Sequence, residues 1–376
     1  RSAAAGGVTC IVDMPCTSLP PVTSRANLDA QLAVIEPKAH VDFMLWGGVS
    51  ANALEREDWV TDLEDVVSEG VGAIKVYMLS GMDTFRDLEP ARIEAVLKET
   101  RRLGVPVGVH AEDREMVLGL TERLMARGRN GPLDYAASRP AAGEVSAVST
   151  LRDLCRRTGA RLHVVHVGSG EALDVITAAR EEGLPLSGET CPQYLEFTEE
   201  DLASQGAILK TAPVVKTAAD RDRLWAGVAN GDIQHVATDH AAGEWPDEKH
   251  TGSIWTDYGG VPGVELLLPY LYSEGYRKGR ISLGRLVEVV DAEMPAQGTV
   301  GEALGSVRWT SSNRFVSRQV VMQPGEAETV VRVEERFTDR IRTVIHMIPL
   351  AYGAGGGLAV GTEVLGAVGS GVPVAL

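Results

Sequence analysis

The 376-residue sequence lacks three features, and each absence excludes a class of protein. Basic residues are scarce: 36 Lys and Arg stand against 52 Asp and Glu, the net charge is −16, and no Lys/Arg cluster occurs along the chain. This balance makes nucleic acid and anionic membranes poor partners. The four cysteines form no CxxC pair or disulfide-framework spacing, which predicts a reducing, cytoplasmic setting. Residues 1–20 lack the charged-then-apolar order of a signal peptide, so nothing in them favours export.

What is present, from residue 7 to about 240, is an alternation of short β-rich apolar runs with longer helical patterns. Such alternation is typical of βα units around a parallel sheet. The predicted strands are 7–13, 40–48, 72–78, 105–110, 161–167, 184–189 and 234–239. The predicted helices are 24–36, 57–69, 90–103, 113–128, 143–158, 169–182 and 217–229.

Polar residues at the strand ends favour a barrel over an open, doubly wound sheet. Five predicted strands carry one at or near the end: Asp13, Lys75, His110, His166 and Asp239. In a (β/α)8 barrel these ends converge on one mouth, whereas in an open sheet they lie along an edge. We therefore predict an α/β fold of the (β/α)8 type with seven strands, one fewer than a complete barrel needs.

The sequence pattern changes beyond about residue 290. Segment 307–335 alternates like antiparallel hairpins around "QPGE". Residues 344–362 reach the length of a marginal membrane span, but their glycines, His346 and the nearby Glu363 favour a Gly-rich tail instead. We predict two regions: a barrel over 1–290 and a divergent or unrelated segment over 291–376.

Four of the strand-end residues have the chemistry of a metal site. A charged Lys75 on a buried strand would be costly unless it is paired or chemically changed. His110, His166 and Asp239 are imidazole and carboxylate donors that suit Zn²⁺, and Asp239 can also accept a proton from a metal-bound water. Taken singly, each has an ordinary structural explanation; together they predict a metal site at the barrel mouth.

The residues resemble a known family, the cyclic amidohydrolases of the amidohydrolase superfamily, which includes allantoinase, dihydroorotase and hydantoinase. The resemblance covers residues 1 to about 290. It is carried by "AAAGGVTCIVDMP", "GAIKVYM", "VHAED", "LHVVHVGSGEAL", "GETCPQYLEFTEEDL", "ILKTAPVVK", "VATDHA" and "DYGGVPGVE", in the family's order. "MPCTSLPPVT" and "ASRP" resemble allantoinase most, while "ATDHA" and "GVPGVE" are equally similar to dihydroorotase.

The resemblance implies a dinuclear metal site, which its motif residues map onto this chain. Lys75 would be carboxylated by CO₂ and bridge two divalent ions, with zinc the expected metal. His110 and His166 would bind one ion; Asp239 would bind the other and act as general base. A bridging hydroxide would then open a cyclic amide, with allantoin to allantoate the favoured reaction and dihydroorotase or hydantoinase activity the alternatives.

Further residues follow from the resemblance. Tyr77, Ser80, Thr17 and Gly260 would contact the substrate, and His240 would support the ligands from outside. Thr17 stands where the family usually has Asn, and Gln193, Val214 and Ala242–Gly243 depart from its pattern too. These departures leave all four ligands in place and bear on substrate choice.

Both ends of the chain depart more strongly from the family. The HxH ligand pair of the first barrel strand would lie upstream of "AAAGGVT", so we expect a barrel without that strand in a truncated or chimeric chain. The alternative function is then a catalytically inactive barrel or a structural paralogue. The resemblance also implies a small-molecule partner and a homo-oligomer, without membrane attachment.

Overall fold

The computed structural model describes residues 1–290, 299–303, 306–312, 316–324 and 329–337, with side chains described within 1–290. The strands are β1 Cys10–Asp13, β2 Asp42–Leu45, β3 Gly47–Gly48, β4 Ile74–Tyr77, β5 Val107–His110, β6 Leu162–Val164, β7 Leu186–Thr190, β8 His235–Val236, β9 Thr299–Ala303, β10 Ser306–Ser312, β11 Val316–Pro324 and β12 Thr329–Phe337. The helices are α1 Ser2–Ala5, α2 Arg25–Ile35, α3 Trp59–Ser68, α4 Pro90–Leu103, α5 Arg114–Met125, α6 Pro132–Ser138, α7 Ala141–Thr158, α8 Gly170–Glu181, α9 Pro192–Glu196, α10 Glu199–Gln205, α11 Ala218–Asn230, α12 Leu267–Tyr270 and α13 Leu283–Val290, with a π-helical segment at Leu271–Arg277.

The first eight strands are parallel and follow one another in sequence order. β1 pairs with β2, and β3 to β8 form a six-stranded sheet. Only Trp46 separates β2 from β3, so one chain segment belongs to both sheets and seven strand positions result. The seven predicted strands are thereby confirmed, with shorter bounds, as is the α/β class with a parallel sheet.

The seven predicted helices are also confirmed, and α4 shows why the pattern was readable. Pro90 opens the helix at its first turn, where a missing N–H does no harm. The buried face repeats with the helical period through Ile93, Val96 and Leu97. Gly104 ends it with φ +73°, in the left-handed region that favours glycine.

The end of the barrel at which the strands begin, here called the base, is built from such turns. A left-handed glycine stands shortly before each of the strands β4 to β8, with φ between 62° and 92°. These are Gly70, Gly104, Gly159, Gly183 and Gly231. A cavity of about 720 Å³ opens among the same connections, lined by residues such as Gly72, Pro106 and Leu186. It lies at the opposite end of the strands from the predicted ligands His110, His166 and Asp239.

A close contact fills the barrel interior at the middle of β5. Trp46 is 6% exposed, and a Cβ built on Gly108 would lie 2.2 Å from its Cζ3 atom. Because alternate residues of a strand share a face, Gly108 points the same way as His110. The indole therefore packs against Gly108 on the face of β5 that carries His110, in space that only a glycine leaves free.

The C-terminal strands form a separate four-stranded antiparallel sheet in the order β12-β11-β10-β9. β11, which ends at Pro324 within "QPGE", pairs with β12 in the segment whose alternation predicts hairpins. The division into 1–290 and 291–376 stays a prediction, and the Gly-rich segment 344–362 lies outside the described residues. Within the described part of the chain, no helix combines the length and apolarity needed to cross a bilayer.

Candidate active site

The four predicted ligands belong to the parallel strands β4, β5, β6 and β8 or follow them, toward the carboxyl ends of these strands, here called the mouth. Lys75 lies in β4, and His110 is the last residue of β5. His166 follows β6 by two residues, and Asp239 follows β8 by three. Parallel strands deliver their carboxyl ends to one side of a sheet, which is why residues so distant in sequence meet.

His110 and His166 face each other directly. His110 Nδ1 lies 3.1 Å from His166 Nε2, and the ring centroids are 4.8 Å apart. Two nitrogens at this separation that each bond one Zn²⁺ at ~2.0–2.1 Å subtend roughly 100° at the metal, close to a tetrahedral angle. Burial lowers the pKa of His166, and the nearby charges of His110 and Lys75 lower it further, which favours the neutral form that binds metals. The pair therefore fits one divalent ion.

Backbone strain coincides with two of the predicted ligands. Among the described residues, His166 (φ 42°) and Asp239 (φ 45°) are the two non-glycine residues with positive φ. The left-handed region costs an L-residue about 1–2 kcal/mol. Strain of this kind concentrates at functional sites, where a side chain is needed in a conformation that only glycine adopts freely.

Lys75 is buried beneath the pair, with 2% of its surface exposed. Its Nζ lies 4.7 Å from the centroid of the Tyr77 ring, and burial lowers its pKa. Tyr77 in turn stacks on His110, the residue opposite it in the β4–β5 ladder, at 5.2 Å between centroids. The Tyr77 hydroxyl lies 3.0 Å from Cys16 Sγ, so the loop after β1 is joined to the site.

Asp239 interacts electrostatically with Lys75 and His110. The residue is solvent-accessible at the mouth, yet its carboxyl group is surrounded closely enough for desolvation to raise its pKa, against the opposing charges of Lys75 and His110. Within the described residues, no three His, Cys, Asp or Glu side chains are arranged to hold a metal ion. The structure thus brings the two histidines together, with Lys75 and Asp239 near them, and leaves the four-ligand set a prediction.

The other predicted residues differ in how they face the mouth. Ser80 Oγ donates to the Phe85 carbonyl (2.7 Å) and accepts from Met82 N (3.1 Å), so its hydroxyl is used within its own loop. Thr17 is exposed and Gly260 is buried. His240 Nδ1 accepts hydrogen bonds from the amides of the 263–264 loop, at 2.9 and 3.3 Å. It therefore ties that loop to the strand end, as an outer support would.

Sequence reasoning missed Glu112, which is 2% exposed and lies beside His110. Its Oε2 accepts from His110 Nε2 at 2.8 Å and forms an ion pair with Arg139. Burial alone would raise the pKa of Glu112, but Arg139 and His110 together hold it well below its usual range. The available signal was position: in "VHAED" the carboxylate follows the histidine by two residues, and "ASRP" supplies the arginine.

Comparison with known proteins identifies related chains. No model of a protein family matches the sequence. An allantoinase of Rubrobacter xylanophilus is 36% identical over 295 residues, which are 78% of this chain and 63% of that protein. An allantoinase of Deinococcus radiodurans is 35% identical over 298 residues, 79% of this chain and 65% of that one. The chain spans less than two thirds of the length of these curated relatives.

Solved structures give the same picture of the fold. The L-hydantoinase (dihydropyrimidinase) of Arthrobacter aurescens superposes with a TM-score of 0.73 at 30% identity, covering 78% of this chain and 64% of that one. The D-hydantoinase of Bacillus sp. AR9 gives a TM-score of 0.74 at 29% identity, with 86% and 70% covered.

Proposed function

Since this chain belongs to the cyclic amidohydrolases of the amidohydrolase superfamily and lies close to allantoinase, we propose that it hydrolyses a cyclic amide in a metal-dependent reaction, with allantoin, opened to allantoate, as substrate. The observation that carries the proposal is the His110–His166 pair, whose facing nitrogens are 3.1 Å apart at the strand ends. The curated relatives are allantoinases, which supports allantoin, and the superposed hydantoinase structures make hydantoins the alternative substrates.

His110 and His166 would hold one divalent ion, and Asp239 a second, with Lys75 between them as a carbamate. Burial lowers the pKa of Lys75, which supports this because only the neutral amine adds to CO₂, releasing a proton as the carbamate forms. When bound, the ions, expected to be zinc, would supply an activated water and a Lewis acid for the substrate carbonyl.

The chain's own groups would then move the proton and orient the ring. Asp239 would accept the proton of the attacking water and pass it to the departing ring nitrogen. Tyr77 would direct its hydroxyl at the carbonyl oxygen, with its ring fixed by His110 and Phe85. Thr17, Ser80 and Gly260 stay proposed substrate contacts, and the product would be a ring-opened ureido acid.

The setting of the proposed reaction is the cytoplasm, with a small cyclic ureide as partner and a homo-oligomer as the assembly. The four cysteines, all in the described part of the chain, form no disulfide, which supports a reducing compartment. The acidic balance of the chain argues against nucleic acid as a partner.

A second candidate function is an inactive barrel with a structural role. It is favoured by one observation: within the described residues no three-member His, Cys, Asp or Glu group can hold a metal. The two candidates differ in the metal that they predict, about two equivalents per chain for the enzyme and one or none for the inactive barrel.

The test is a metal analysis of the purified protein combined with hydrolysis assays on allantoin, dihydroorotate and hydantoin. We expect about two equivalents of divalent metal and preferential consumption of allantoin, lost on chelation and restored by Zn²⁺. Preference for hydantoin or dihydroorotate would change the substrate only. One equivalent of metal or none, with all three rings intact, would establish the inactive barrel.

A further inference from the structure

We propose that a single buried network of four charged side chains positions the two histidines of the mouth relative to each other. Its members are Glu112, Arg139, Glu144 and Lys216. The purpose of the network, to present a prearranged ligand pair, rests on the proposed function, while its geometry does not. None of the four was among the predicted site residues.

One branch of the network ends on His110. Glu112 Oε2 accepts from His110 Nε2 at 2.8 Å, and the same oxygen pairs with the Arg139 guanidinium. A carboxylate that accepts from Nε2 places the ring proton there, so Nδ1 turns its lone pair toward His166. Arg139 thus acts on His110 through Glu112, as a positioning residue.

The other branch ends on the backbone just after His166. Glu144 Oε2 accepts from the amides of Gly168 (3.0 Å) and Ser169 (3.1 Å). A Cβ on Gly168 would lie 3.4 Å from both Glu144 Oε1 and the Tyr194 ring, so the chain approaches this carboxylate closely. Because His166 itself has φ 42°, an anchor two residues later helps to hold its strained backbone.

Lys216 joins the two branches. Its Nζ forms an ion pair with Glu144 Oε1 at 3.0 Å. The angle of this contact is too poor for a hydrogen bond, so Oε1 accepts none. The same Nζ donates to the backbone carbonyl of Arg139 at 2.9 Å. Lys216 is 8% exposed, Glu144 3% and Glu112 2%.

Two positive and two negative charges therefore balance in a cluster of three buried side chains and the partly buried Arg139, whose side chain is 16% exposed. Removing one member leaves an uncompensated charge away from water, which the remaining members must relieve by moving. A change at Lys216, which contacts neither histidine, is then transmitted to both. A side chain that only fills space would not couple the two rings in this way.

The experiment is histidine-selective ¹⁵N NMR of the metal-free protein, which reads the tautomer of each ring without any need for activity. In the wild type we expect His110 as the Nε2–H tautomer. Lys216→Met should shift the signals of both His110 and His166. The matched control is Lys249→Met, a lysine that is 5% exposed and donates to the carbonyls of residues 207 and 208, outside the network.

The proposal is overturned if His110 carries its proton on Nδ1 in the wild type. It is also overturned if the His110 and His166 signals of Lys216→Met are the same as those of Lys249→Met. Should Lys216→Met not fold, Glu144→Gln with Lys216→Arg provides a milder perturbation, and the wild-type tautomer still decides. In a zinc competition titration, Lys216→Met should bind about 10- to 100-fold more weakly than Lys249→Met. A wild type that binds no zinc would refute the proposed function, while the histidine signals would still decide the network.

Discussion

The mouth and the base of the barrel use the same unusual backbone conformation in different ways. At the base, five left-handed turns before β4 to β8 are all glycine. At the mouth, the two non-glycine residues with positive φ in the described part of the chain are His166 and Asp239. Glycine makes such a turn without steric penalty, whereas a residue such as His costs about 1–2 kcal/mol there and Asp costs less. The difference shows that the base is built for stability, and that the mouth keeps two side chains despite their strain.

The largest expected effect comes from changing the chemistry of the mouth without changing its backbone. Asn also tolerates the left-handed region, so Asp239→Asn should fold normally while losing the proposed general base. We expect kcat/KM for ring opening to fall about 10²- to 10⁴-fold, with the melting temperature nearly unchanged. Steady-state assays and calorimetry measure both. Full activity in this variant would remove Asp239 from the mechanism.

Substitutions at the base should have the opposite pattern of effects: they should change the stability of the protein and leave its activity unchanged. Gly231 has φ 92°, and the space that a Cβ would enter there is open, so Gly231→Ala meets backbone strain alone. We expect it to lower the free energy of unfolding by about 1–2 kcal/mol in urea denaturation.

The matched control for Gly231→Ala is Gly119→Ala. Gly119 lies inside α5, also with open space and without positive φ, so alanine should raise stability by about 0.5–1 kcal/mol. Equal effects of the two substitutions would contradict the account of the base.

A smaller effect should expose the strain at the mouth itself. His166→Gly and His166→Ala both remove the imidazole, but only glycine relieves φ 42°. After the greater freedom of glycine in the unfolded chain is allowed for, His166→Gly should be more stable than His166→Ala by about 0.5–1 kcal/mol. Chemical denaturation compares them, and an alanine variant as stable as the glycine variant would mean that the position is unstrained.

An effect of similar size is a pH dependence of stability on the mouth side. Burial, aided by the charge of Arg139, lowers the pKa of Lys210 to about 8. Between pH 8 and about 10.5 the unfolded chain then binds more protons at Lys210 than the folded chain does. The cost of burying the charged lysine therefore falls, and the free energy of unfolding rises, as the pH increases. Relative to Lys210→Met, the wild type should gain on the order of 1 kcal/mol over this range, after a discount for solvent screening. Parallel unfolding curves at each pH test this, and a constant difference would refute it.

The contrast between mouth and base also explains how far the sequence could be interpreted. Apolar periodicity predicted all seven strands and seven helices, and the position of His110 and His166 at strand ends predicted that they meet. The network could not be predicted, because Glu144 and Lys216 are far apart in the sequence and buried charges have the same sequence signature as surface ones. Nor does any local pattern indicate positive φ at His166 or Asp239, since tertiary packing imposes it.

The contact between Trp46 and Gly108 has a consequence for how this protein can change over generations. Any side chain at position 108 collides with the indole, so substitutions there are harmful while Trp46 is present and become acceptable only after it has been replaced by something smaller. The two positions are thus epistatic, and a mutational route through either one passes first through Trp46. Because Gly108 and His110 lie on the same face of β5, that order of events also limits which changes at the mouth can be reached by single steps.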